Sequence, residues 1–445
     1  MMKRKLFVCP SRLAFAVALF LVATCGASLL PQAQKATSTD RERGQVMLRT
    51  IKDDLKKNYY DPTVRGMDLD ARFKAAEEKM KQADSNSQIM GIIAQILVEL
   101  DDSHTFFMPP ARVSSVEYGW QVQSVGDKNY VVAVKPKSDA EAKGLQPGDE
   151  VLAVDGRKPS RANLWLFKYL YYTLRPQGAM QLAIRKPDGK EMQMVVAAKV
   201  KTSKRVTDLT NNDEIWHLIR ESQNEDRLNA HRYYLPEDLM IWKMPQFDMA
   251  EADVDTMADK FRKRKALILD LRGNGGGLVK NLERLVGYFF DKDIKIADLK
   301  GRKEMKPMMA KTRGDKAFKG ELVVLIDSES GSASELFARI IQLEKRGKVI
   351  GDKSAGAVMQ SKHLSHQMGV DIIVPYGVSI TDADVIMSDG KSLEHVGVTP
   401  DEVILPTAAD LAAGRDPVLA RAAELIGLNL SPEKAGSMFP IEWRK

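Results

Sequence analysis

The sequence predicts a chain of the α+β class made of several domains, on three observations. Residues 34–111 carry helical periodicity. Residues 112–202 break into short strand-like runs separated by glycine turns. From residue 239 onward, continuous apolar runs alternate with amphipathic ones. A chain of 445 residues is longer than one hydrophobic core organises, and 44% hydrophobic with 29% charged residues is the balance of an ordinary globular protein.

The first 33 residues stand apart. Lys3, Arg4, Lys5 and Arg12 give a positive start, residues 13–21 (LAFAVALFL) are uninterruptedly apolar, and Ala23, Cys25, Gly26 and Ala27 follow. This is the pattern of a secretory signal peptide, with cleavage after Ala27 or Ala33, and nine apolar residues are too few for a membrane span. The expected location is the periplasm or the exterior, with a lipid anchor at Cys25 as the one route to a membrane. Removing four basic residues takes the net charge from +7 to +3, so the basic character belongs largely to targeting and no nucleic-acid footprint remains. Both cysteines, Cys9 and Cys25, lie in or beside this segment, so a mature chain cut after Ala27 has no disulfide, no cysteine-based zinc site and no thiol nucleophile.

In the helical region, Ser87 is placed to cap a helix in which Ile89, Ile92, Ile93, Ile96, Leu97 and Leu100 share one face. Looser patterns over 46–60 and 69–82 complete a small bundle, which Pro109 and Pro110 end. Residues 130–134, 150–154, 180–184 and 192–196 read as strands of the β-rich part. Residues 203–238 are polar and basic and read as a linker. In the last part, residues 266–271 and 322–326 read as strands buried on both faces, followed by helices over 278–290 and 334–345, with a final helix over 417–426.

Three constellations could carry chemistry. The first, Asp327-Ser-Glu-Ser-Gly-Ser332-Ala-Ser334-Glu335, follows a buried strand and opens a helix. A serine at such a turn is exposed above the sheet, and the helix N-terminus offers free N–H groups to an oxyanion. Ser332 and Ser334 compete for this role, and either could instead be a helix cap. The second, Asp270-Leu-Arg-Gly-Asn-Gly-Gly-Gly277, suits close backbone approach to a ligand and a nest of N–H groups. A phosphate loop would continue with Lys-Ser/Thr, whereas Leu278-Val279 stands here. The third, Asp101-Asp102-Ser103-His104-Thr105, sets a histidine among hydroxyls and carboxylates. His363 and His366 are three apart and are the one pair that suggests a metal; no cofactor is otherwise implied.

Taken in order, DDSHT, DLRGNGGG, GSASELFA, VIGDKSAG and LEHVGVTPD resemble the C-terminal processing (tail-specific) protease family, and more closely its tricorn-like branch. The string AEAKGLQPGDEVLAVDG over 140–156 is similar to a PDZ domain. The resemblance implies a helical region at 34–111, a PDZ domain at 112–202, a linker at 203–238 and a crotonase-like β/α spiral peptidase core at 239–445. It implies Ser332 as nucleophile, Ser334 as cap, and an oxyanion hole from Gly276 or Gly277 together with Ala333. Many members place a lysine base where this chain reads Ser354-Ala-Gly356-Ala357-Val358; Lys353 and Lys362 only flank that position. The tricorn-like branch instead implies His104 as general base beside Ser103, with a late acid orienting them: Glu394, with Asp389 and Glu402 as competitors. Residues Tyr118, Gly119, Trp120 and Gln121 would be the loop that takes a substrate C-terminus.

The resulting expectation is an exported serine endopeptidase that cleaves unfolded or C-terminally tagged polypeptides. The alternatives are a non-catalytic binder of peptides or apolar ligands on the same scaffold, and an esterase using the same serine.

Overall fold

A computed structural model describes residues 35–112, 114–202, 228–369 and 373–443. The signal-peptide expectation, both cysteines and residues 203–227 of the expected linker lie outside this range.

Three helices open the described chain: α1 (Ser38–Asn58), α2 (Leu69–Lys81) and α3 (Asn86–Val98). Leu48, Ile51, Leu55, Phe73, Ile89, Ile93 and Leu97 interlock in one core. The cap of α3 is Ser85, not Ser87: the Ser85 side chain accepts the Gln88 N–H, and the Gln88 side chain reaches back to the Asp84 N–H. Both serines have the right chemistry, but only Ser85 is followed three positions later by a side chain able to complete the reciprocal pair.

A five-stranded antiparallel sheet follows, in the order β3 (Trp120–Val125), β4 (Lys128–Val134), β5 (Glu150–Val154), β6 (Ala179–Arg185) and β7 (Glu191–Ala197). A separate antiparallel pair joins β2 (Ser114–Glu117) to β8 (Lys199–Thr202). Strand β3 is at the edge of this sheet.

The rest of the chain is built on two further sheets. One is six-stranded, in the order β18 (Glu402–Val403), β15 (Lys348–Gly351), β14 (Glu321–Ile326), β11 (Ala266–Asp270), β10 (Leu239–Lys243), β9 (Arg232–Tyr234); only β9 runs antiparallel. The apolar run in β11 is explained by burial on both faces. Leu267 and Leu269 enter one core, and Ile268 enters the other, against the helix Pro417–Leu425. The second sheet is antiparallel: β1 (Phe106–Met108), β12 (Ile294–Gly301) and β16 (Met359–Met368) pair with the 14-residue β17 (Val374–Met387), and β13 (Met308–Ala310) pairs with β12. Strand β9 lies inside the stretch read as linker, a difference with a simple cause: three exposed or half-exposed residues at a sheet edge leave no apolar run to detect.

Candidate active site

Parallel strands bring their C-terminal ends to one rim, where loops converge on a common point. Strand β11 delivers the Gly-rich turn there, and the neighbouring β14 delivers the turn that carries Ser332. Side chains lock the two turns together. Asn274 donates through Nδ2 to the Met244 carbonyl, and its own carbonyl accepts the Gly331 N–H at 2.9 Å and the Ser334 hydroxyl at 2.8 Å. Ser334 is therefore not the cap expected of it. It is buried within the helix Ala333–Leu343 and ties that helix to the Gly-rich turn.

Ser332 is the residue before that helix, at φ 51° and ψ −116°. This is a backbone region that favours glycine, and a non-glycine residue is held there only by its surroundings. Gly276 presses against it: a Cβ on Gly276 would stand 2.7 Å from the Ser332 Cβ. The Gly276 N–H is already given to Asn274 Oδ1 at 2.9 Å, so of the two glycines considered for the oxyanion hole Gly276 forms a wall and not a free donor. Gly277 is exposed, and Ala333 is the first residue of its helix, where an N–H has no intrahelical acceptor.

The DDSHT segment reaches the same point from the helical region. His104 Nε2 lies 3.3 Å from Ser332 Oγ, and His104 Nδ1 lies 2.8 Å from Ser103 Oγ. Ser103 Oγ is 2.8 Å from Glu394 Oε2, and the Ser103 N–H donates to Glu394 Oε1 at 2.9 Å. A hydroxyl has one proton. Given to Glu394, it leaves Ser103 Oγ to accept from Nδ1–H, which turns the bare Nε2 lone pair toward Ser332. Burial lowers the His104 pKa below its ordinary value, partly opposed by Asp102, so the neutral ring is favoured. Burial raises the Glu394 pKa, opposed by the Ser103 and Val358 donors.

The competing acids are engaged elsewhere. Asp389 pairs with Arg339, and Glu402 with Lys348 and Arg421. Lys362 pairs with Asp382 at 2.8 Å and Lys353 is exposed. The two histidines considered as a metal pair point to opposite faces of β16: the His363 ring meets Phe106, and His366 bonds Asp54. Among the described residues no group of three or more His, Cys, Asp or Glu is placed to hold a metal ion.

Sequence reading missed the support of the base loop. Asp102 is buried, and its carboxylate accepts the His104 N–H at 2.9 Å, the Thr381 hydroxyl at 2.6 Å and the Tyr59 hydroxyl at 3.0 Å. Arg65 donates to the Leu100 and Asp101 carbonyls just ahead of it. The doubled aspartate was visible, but nothing local reveals partners so far along the chain.

Of the residues expected to take a substrate C-terminus, Tyr118 and Trp120 bury their rings in the domain's own core, so their side chains are not presented to a peptide. The Gly119 carbonyl accepts the Lys135 N–H, and Gln121 is exposed. This domain touches the nucleophile turn and the turn after β15: Gln123 Nε2 donates to Asp327 Oδ2, the Ser328 hydroxyl to the Ser124 carbonyl, and Arg161 to Asp352.

Residues 239–404 match the model of peptidase family S41. The carboxy-terminal-processing protease of Bartonella bacilliformis is 24% identical over 399 residues, covering 84% of this chain and 82% of that one. The tail-specific protease of Haemophilus influenzae is 24% identical over 351 residues, 75% of this chain but 48% of its own length, so the chain spans about half of that relative. Among solved structures, mature CPAF complexed with lactacystin superposes with a TM-score of 0.62 at 16% identity, over 88% of this chain and 98% of that one, which shows a shared fold. The part of the chain that holds the two turns is thus a serine-peptidase domain. Over residues 239–404 it resembles the peptidases of family S41, and the relatives are C-terminal processing proteases. No helix among the described residues is long and apolar enough to cross a membrane.

Proposed function

We propose that the chain is an exported serine endopeptidase that cleaves unfolded or C-terminally tagged polypeptides, with Ser332 as nucleophile and His104 as general base. The observation that carries this reading is the approach of His104 Nε2 to within 3.3 Å of Ser332 Oγ, with Ser103 and Glu394 behind the ring. Nε2 takes the Ser332 proton as Oγ attacks the scissile carbonyl, and Glu394 stabilises the imidazolium through Ser103. The oxyanion is received by the Ala333 N–H and by the Gly277 N–H of the Gly-rich turn. Collapse of the intermediate passes the proton from His104 to the leaving amine and leaves an acyl-enzyme on Ser332. Water then repeats the sequence and releases the acid.

The β-rich domain is read as a PDZ domain. Its edge strand β3 offers main-chain groups to an extended peptide, and the loop over 118–121 would receive the carboxylate through backbone N–H groups.

The test is labelling of the purified protein by a serine-directed fluorophosphonate, with Ser332→Ala and His104→Ala alongside. Labelling lost in both variants supports the assignment. Labelling that survives Ser332→Ala overturns it, and a wild type that binds a C-terminal peptide without turnover or labelling favours a non-catalytic binder.

A further inference from the structure

We propose that Glu335 is a positioning residue whose carboxylate clamps the nucleophile and the mount of Glu394 into one unit; the proposal rests on Ser332 being the nucleophile. Glu335 is fully buried one turn into the helix that follows Ser332. Its Oε1 accepts the Ser354 hydroxyl at 2.6 Å and the Gly356 N–H at 2.7 Å. Its Oε2 accepts the Ala357 N–H at 2.9 Å and the N–H of Ser332 itself at 3.0 Å. Among the described residues no cation pairs with it, so four donors alone offset the loss of water.

The segment gripped by Glu335 is in turn knitted to the turn that carries Glu394. The Gly356 carbonyl accepts the His395 N–H at 2.7 Å. Ser354 Oγ accepts the Val398 N–H at 2.6 Å, and the Val358 N–H donates to Glu394 Oε2 at 2.8 Å. The Ala357 carbonyl also shares the Ser332 N–H, at 2.9 Å. Both ends of the Ser332–His104–Ser103–Glu394 chain therefore hang from one carboxylate. Glu335 touches neither substrate nor the reacting atoms; it acts by fixing where Ser332 and Glu394 stand.

Three of the four partners are backbone N–H groups, which only donate, and Ser354 Oγ already accepts the Val398 N–H, so the ionised carboxylate fits best. A proton on Oε2 would face two N–H groups and open the clamp. Burial pushes the Glu335 carboxyl up to about 7, opposed by its four donors. The charged groups around the clamp are Asp352 and Lys353 on the gripped segment, Glu394 and His395 on the adjoining turn, His104 across Ser332, and Arg339 on the same helix, paired with Asp389. The active form then needs three groups without their protons, Glu335, His104 and Glu394, and all three gain them on the acid side.

The experiment is the pH dependence of the fluorophosphonate labelling rate for the full chain, its Glu335→Gln and Ser354→Ala variants, and Ser332→Ala as control. The wild type should lose reactivity below about pH 7 along a limb steeper than one proton. Glu335→Gln, which sets an amide N–H₂ against N–H donors, should label about 10- to 100-fold more slowly at pH 8. Its remaining limb should be shallower than that of the wild type and shifted to lower pH. Ser354→Ala removes one donor to the carboxylate and should move the wild-type limb to higher pH, a readout that stands if the Gln variant does not fold. A Glu335→Gln variant that labels as fast as wild type, or keeps the steep limb, overturns the proposal. So does a Ser354→Ala limb that does not move. Labelling that persists in Ser332→Ala would instead overturn the nucleophile assignment on which it rests.

Discussion

His104 and Ser332 stand 228 positions apart in the chain and 3.3 Å apart in space. One comes from a loop that leaves a helical region, the other from the rim of a parallel sheet. The loop is held by a carboxylate, Asp102, whose partners are Tyr59, which caps the C-terminus of α1, and Thr381 of β17. The meeting of base and nucleophile is therefore a tertiary product of three parts of the molecule.

Removing the middle of the relay should slow the reaction without unfolding the protein. Ser103→Ala leaves Nδ1 without the acceptor that fixes the tautomer, and Glu394 without its hydroxyl partner. Labelling and peptide hydrolysis should fall by about 10²-fold, while the melting temperature stays close to wild type. Equal activity would show that the hydroxyl does not orient the ring.

Loosening the base loop should act through the rate as well. Asp102→Ala orphans the buried Tyr59 and Thr381 hydroxyls and frees the His104 N–H. A loss of about 1–3 kcal/mol in stability is expected from unsatisfied buried groups, together with a fall in kcat larger than any change in KM. Tyr59→Phe, which removes one of the three donors to Asp102, should show a milder version of both.

Gly276→Ala places a methyl 2.7 Å from the Ser332 Cβ at a backbone φ of 104°. The nucleophile turn must shift to admit it, so activity should vanish while the far side of the sheet is unaffected. Hydrogen exchange would locate the disturbance, and retained activity would mean that the turns are not in register as described.

The rim has its own electrostatic anchor. Asp270 is buried and bonded to Arg272 and Lys243, and Arg272 bridges on to Asp416, which caps the helix Pro417–Leu425. Asp270→Ala leaves the guanidinium without its buried partner and should cost about 3–5 kcal/mol in urea unfolding. The arginine and lysine hold the Asp270 carboxyl below the usual range. Its stabilisation is therefore present above the unfolded-state carboxyl range and is lost progressively as pH falls below that range toward the depressed folded-state value, so the gap between wild type and variant should narrow in acid.

The parts of the molecule that were legible are those where one residue's neighbours decide its state. The runs over 266–269 and 322–326 are apolar throughout because both faces of β11 and β14 are covered. The glycines of 273–277 announced a turn because few other residues reach those angles. What stayed hidden needed a partner from elsewhere. The roles of Tyr59 and Thr381 depend on Asp102, which they meet across 43 and 279 positions. Ser334 looked like a cap because its actual acceptor, the Asn274 carbonyl, comes from another strand. Glu335 looked like an ordinary first-turn acid, and only the fold shows the four donors that converge on it. The placement of His104 opposite Ser332 followed from resemblance, since no local pattern could supply it.

The unfavourable backbone angles of Ser332 carry a consequence for evolution in the laboratory. A residue other than glycine held at φ 51° and ψ −116° costs about 1–3 kcal/mol. Ser332→Ala keeps its Cβ and so keeps most of that strain, whereas Ser332→Gly relieves it. The glycine variant should be inert and yet melt at a higher temperature than the intact protein. A screen that selects for stability alone would drift toward erasing the very hydroxyl for which the turn is bent.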